Sequence, residues 1–174
     1  MVRYRRLRAN GATYFFTVAL RDRRADTLVT HIHELRHAIR RTRALQPFDI
    51  DAMVVLPDHL HAVWTLPDGD SDYSGRWRSI KSGFIRALRA GGMKLLANAK
   101  GEYSIWQRRF WEHRIRDEDD MQRHVDYVHI NPLKHGLVQR VVDWPWSSFH
   151  RHVRDGWLAA DWACAPDEIN RFGE

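Results

Sequence analysis

Val54-Val55-Leu56-Pro57-Asp58-His59-Leu60-His61-Ala62-Val63-Trp64 decides the fold: two β-branched and aromatic runs meet at a two-residue Pro-Asp turn, the pattern of a tight hairpin. The first arm extends back to Phe48 and the second forward to Leu66. On the second arm His59 and His61 stand two residues apart, so they share one face of the strand while Leu60 points to the other, into the core. Two imidazoles on one face can share a metal ion. The competing reading is a surface strand carrying two ordinary histidines in a chain that has eleven.

Upstream, Asn10-Gly11 signals a turn, and Thr13 to Leu20, with Tyr14, Phe15, Phe16 and Val18, reads as a first strand. Thr27 is read as the cap of a helix to about Leu45, whose apolar stripe is Leu28, Ile32, Leu35 and Ile39. His31, His33 and His37 on it are expected at the surface. Downstream, Pro67 to Asp72 is a loop and Tyr73 to about Ala99 a second helix, with Gly91-Gly92 as a point of interruption. Ile105 to Ile115 is read as a fourth strand, and Asp117 to about Ile130 as a third helix opening on a solvated, dipole-matched acidic turn and stopped or reset by Pro132. Residues 144–174 form a packed tail with a short terminal helix. The order strand, helix, strand, strand, helix, strand, helix gives an α+β fold, a ferredoxin-like sandwich whose antiparallel sheet has helices on one face, plus a C-terminal extension.

With 174 residues and 44% hydrophobic content, the chain suits one domain, residues 1–174, with a core of about 12–140 and a tail of about 141–174. No apolar run is long enough to span a bilayer and none follows the basic N-terminus, so a cytoplasmic protein without membrane partners is expected. A lone cysteine, Cys164, excludes an internal disulfide and paired-thiolate zinc sites. The net charge of +6 is concentrated in residues 1–50, where eleven arginines face four acids. Arginine forks match phosphate oxygens, which points to nucleic acid, although a GC-rich genome also enriches arginine. Eight tryptophans are available either to stack on unpaired bases or to fill the core.

Tyr127 and Asn131 lie four apart, able to project from one helical face toward the strand that carries the histidines. Tyr127 has the alternative of a half-buried packing role, and Asn131-Pro132 that of a capping turn. Ser147-Ser148 beside His150 lacks the strand-turn-helix elbow of a serine nucleophile and is discounted.

Four blocks in order carry a resemblance: Val54 to Trp64, Trp106-Gln107-Arg108-Arg109-Phe110-Trp111-Glu112-His113, Tyr127-Val128-His129-Ile130-Asn131-Pro132-Leu133-Lys134-His135-Gly136-Leu137-Val138, and Trp144-Pro145-Trp146-Ser147-Ser148. Together, across about residues 12–150, they resemble the REP-associated tyrosine transposases, relatives of the single-strand transposases with a His-hydrophobic-His motif. The resemblance implies a ferredoxin-like fold, a divalent ion (Mg or Mn) on His59 and His61 with Asn131 as third ligand, and Tyr127 as the nucleophile. It also implies single-stranded or hairpin DNA as substrate, a 5′-phosphotyrosine intermediate, and a nucleoid-associated protein that acts as a monomer, a dimer being the alternative. Arg3, Arg5, Arg6, Arg108, Arg109 and Lys134 are candidate phosphate contacts. The competing functions are a hairpin-binding regulator that keeps the fold without turnover, and a hydrolase that uses activated water.

Overall fold

The computed structural model describes residues 9–97, 103 and 105–163. Strand β1 (Thr13–Ala19) lies between β3 (His59–Thr65) and β4 (Trp111–Arg114), with β2 (Asp49–Val55) outside β3. Every pairing in this four-stranded order, β2-β3-β1-β4, is antiparallel. The expected α+β, ferredoxin-like arrangement is what the chain adopts.

Side-chain alternation along β1 shows how the layers form. Tyr14, Phe16 and Val18 enter the main core with Leu60, Ala62 and Trp64 of β3, under α2 (Ile32–Leu45) and α3 (Tyr73–Ala90). Phe15 points the other way, joining Ala52, Val54 and Val63 under Val125 and Val128 of α4 (Glu118–Lys134). The helices therefore cover both faces, rather than the one face expected. β3 is buried at every residue from His59 to Trp64, as a strand covered on both sides must be.

Several boundaries differ from the sequence reading, each for a local reason. The helix expected over 27–45 is broken at His31 (φ −112°, ψ 41°) into α1 (Thr27–Thr30) and α2. Leu28 N–H donates to Pro57 O at 3.0 Å, pinning α1 to the hairpin turn while α2 re-aims along the sheet. α3 stops at Ala90 rather than near Ala99 because Gly92 turns the chain with φ +88°. The fourth strand is shorter than expected. Thr17 pairs with Trp111 and Leu20 with Trp106, so five steps on one side face three on the other and the ladder breaks between them.

α4 begins at the Asp117 cap, whose carboxylate accepts from Asp120 N–H at 2.8 Å. It runs through Pro132 instead of ending near Ile130. Pro132 removes its own N–H bond to the carbonyl four residues back and crowds that carbonyl, and buried Ile130 and Asn131 hold the last turn against the rest of the protein.

The tail follows as a 3₁₀ turn, η1 (Val141–Asp143), and α5 (Phe149–Arg154). It packs Phe149 and Val141 against Ile130 of α4. It also runs along β2, where Val55 N–H donates to Trp146 O at 2.9 Å, Ser148 N–H to Met53 O at 2.7 Å, and the Trp144 indole N–H to Val55 O at 2.9 Å. A bulge at Asp51 lets the carbonyls of Ile50 and Asp51 accept from the Arg151 guanidinium.

Candidate functional site

The hairpin sets His59 and His61 on the face of β3 that α4 covers. Both are 3% exposed, with ring centroids 5.0 Å apart and planes nearly perpendicular. His59 Nδ1 meets the carboxylate of Asp58 at 2.7 Å, and Arg23 holds the other carboxylate oxygen at 2.6 Å. A carboxylate only accepts, so His59 Nδ1 carries the proton and its Nε2 lone pair is left open. His61 Nδ1 lies 2.9 Å from the Thr17 hydroxyl, and its buried Nε2 makes no well-formed hydrogen bond among the described residues, the Asn131 side chain being the polar group beside the ring.

Burial holds His59 below the ordinary imidazole range against the opposing pull of Asp58. Burial, then the neighbouring His59, His135 and Arg23, pushes His61 well below it. Two neutral imidazoles with open nitrogens are what a divalent cation takes as ligands, and burying an unpartnered nitrogen costs free energy unless something binds it. The donor set fits a metal ion.

α4 lays Tyr127 over this pair. The half-buried ring stands edge-on to His61 with centroids 5.2 Å apart, and edge-on to Phe15 at 5.8 Å. Lys134, two turns later, sets its ammonium 5.0 Å from the centre of the Tyr127 ring. Because α4 continues past Ile130, Asn131 lies within it: its Nδ2 donates to Tyr127 O at 2.7 Å, and the amide, 1% exposed, sits beside His61. With the nitrogen spent on the helix, the oxygen is the atom left for the site.

Of the residues singled out from sequence, His59, His61, Tyr127, Asn131 and Lys134 are thus brought together. Arg108 and Arg109 are exposed in the loop before β4, just after Gln107 N–H, which donates to Ala19 O. Ala19 pairs with His59, so this loop leaves the sheet at the histidine end. Arg3, Arg5 and Arg6 lie outside the described residues. Trp64 and Trp106 are core, whereas Trp111 is 53% exposed.

Sequence reasoning missed Asp58, read as a turn residue, and also Arg23, Thr17 and His135, whose ring lies 5.1 Å from that of His59. It also missed a second cluster. Asp120 is buried rather than part of a solvated turn, and accepts from His113 Nε2 at 2.8 Å and from Arg116 Nε at 3.1 Å. Burial would raise its carboxyl, but the bonds from Arg116 and His113 outweigh that and hold it far below the usual range. His113, Asp120 and His124 are close enough to hold an ion, yet the two arginines at Asp120, Arg116 and Arg123, oppose a cation there. Ser148 bonds to His129 Nε2 at 3.0 Å, while His150 turns to Trp144 O, so no serine–histidine pair of the kind weighed from sequence forms.

A ferredoxin-like sheet presenting a His-hydrophobic-His pair to one helix-borne tyrosine defines the class. No family model matches the chain. It is 51% identical over 163 residues to the REP-associated tyrosine transposase of Escherichia coli (strain K12), covering 94% of this chain and 92% of that one. It is 43% identical over 169 residues to a protein assigned to the same group in Haemophilus influenzae (strain ATCC 51907 / DSM 11121 / KW20 / Rd), covering 96% of each. A solved structure of a REP-associated tyrosine transposase bound to a REP hairpin superposes with a TM-score of 0.83 at 51% identity, over 94% of this chain and 92% of that one. The chain belongs to the REP-associated tyrosine transposase family.

Proposed function

We propose that the protein is a hairpin-DNA transposase that cuts and rejoins single-stranded DNA beside a hairpin through a 5′-phosphotyrosine. The observation that carries this reading is the Tyr127 ring set 5.2 Å from His61, over two buried imidazoles whose Nε2 atoms are open. The relative solved with a REP hairpin supports DNA as the substrate.

His59, His61 and the Asn131 amide oxygen would hold a divalent ion, Mg or Mn suiting a mixed nitrogen and oxygen shell with open positions. Such an ion, when bound, supplies positive charge to a non-bridging phosphate oxygen as the phosphorus is attacked. The Tyr127 oxygen loses its proton to solvent and bonds to phosphorus; the bond from phosphorus to the 3′ oxygen breaks, and that oxygen leaves as a 3′ hydroxyl on taking up a proton. The phosphotyrosine conserves the bond, so a 3′ hydroxyl from another strand reverses the step without a nucleotide cofactor. The Lys134 ammonium at the tyrosine ring, with Arg108 and Arg109 at the same end of the sheet, receives the backbone phosphates.

Protein, Mg or Mn, and an end-labelled hairpin oligonucleotide resolved on a denaturing gel test the proposal. The expected product is a protein–DNA adduct that Tyr127→Phe abolishes while hairpin binding persists. Cutting with a free 5′ phosphate and no adduct would assign a hydrolase, and binding without cutting a regulator.

A further inference from the structure

Trp111 opens β4 on the face that also carries the histidine pair, and it is 53% exposed while Trp64, Trp77 and Trp106 are buried. Leaving so large an apolar ring half in water forgoes the burial that aromatic residues ordinarily gain. Its position in the sheet is specific. Thr17 pairs with His61 on one side and with Trp111 on the other, so the three form one row. At about 4.8 Å per strand, the backbone positions of Trp111 and His61 lie roughly 10 Å apart.

The indole is also braced. His113 lies parallel to it, 10° between planes and 6.0 Å between centroids, and Phe15 meets it edge-on at 5.5 Å. His113 is fixed in turn by its 2.8 Å bond to buried Asp120 and by stacking on His124 at 4.7 Å. An exposed ring held in place from behind loses little freedom when a second ring settles on its open side.

We infer that Trp111 is a stacking platform for one unpaired nucleobase of the strand whose phosphate lies at Tyr127. The inference rests on the function proposed above. At about 3.4 Å per stacked nucleotide, the base lies within roughly three nucleotides of that phosphate. A bare indole accepts the π-face of any base, so this subsite fixes how far the strand is threaded rather than which sequence is read.

Equilibrium binding without turnover tests it, using a hairpin oligonucleotide with a single-stranded flank and versions carrying one abasic site at each of the first three flank positions. In wild type, one abasic position weakens binding roughly tenfold to a hundredfold. Trp111→Ala binds the intact oligonucleotide weaker by the same factor and is insensitive to that abasic site, while Trp111→Phe keeps most of the affinity. The inference is overturned if Trp111→Ala binds the intact DNA as wild type does, if the full abasic penalty persists in that variant, or if the variant loses only self-association, which would make Trp111 a protein contact. Coupling between Trp111 and the abasic site in a protein that forms no covalent adduct would sustain the platform while removing the cutting reaction.

Discussion

Asp58 closes the hairpin turn and orients the ring that follows it: with His59 Nδ1–H directed at its carboxylate, Nε2 faces the site. On the proposed reading Asp58→Ala weakens Mn affinity about 10–100-fold, as loss of a ligand-orienting partner does, with the fold intact. Titration followed by electron paramagnetic resonance measures this, and unchanged affinity would separate Asp58 from the ion. The common face of His59 and His61 was legible from sequence because a strand's two-residue period is rigid. Asp58 was legible only as a turn. Arg23 carried no signal at all, since it reaches Asp58 from the loop after β1 through tertiary packing alone. Asp120 was misread because acids at a helix start are ordinarily solvated; here the edge strand brings His113 over it.

The start of α4 was easier to foresee than its length. Asp117 accepts from Asp120 N–H and opens a run of acids matched to the helix dipole, so Asp117→Ala should cost about 1 kcal/mol, read as a lower midpoint in urea denaturation. Pro132 suggested a stop, and no local rule says that packing around Ile130 and Asn131 outweighs one missing hydrogen bond. That misjudged end matters for the site, because the extra turn makes Tyr127 and Asn131 true neighbours on one helix. β4 was overestimated for the converse reason: aromatic and β-branched residues run on from Ile105, but the register mismatch against β1 is a property of two strands together and is absent from either alone.

Across the whole molecule, the near-unbroken burial of β3 shows why helices on one face was too simple an expectation: the apolar run from Ala62 to Trp64 already suits a strand covered on both sides. Where α4 meets the tail, His129 is fully buried against His152, their ring centroids 4.6 Å apart. Burial, then the nearby His152 and Arg151, lowers His129 from 6.5 to about 3. The unfolded chain therefore takes up this proton first, and the associated stability is complete above about pH 6.5 and lost as pH falls toward 3. By pH 5 the loss should reach roughly 2 kcal/mol, seen as a lower urea midpoint than at pH 7.5, with His129→Gln showing a shallower dependence. The same tail, by bonding along β2, fills the flank of the sheet that would otherwise present a row of bare amides. Another copy of the protein therefore finds that side of the sheet already taken, and among the described residues the sheet's other edge is the four-residue β4.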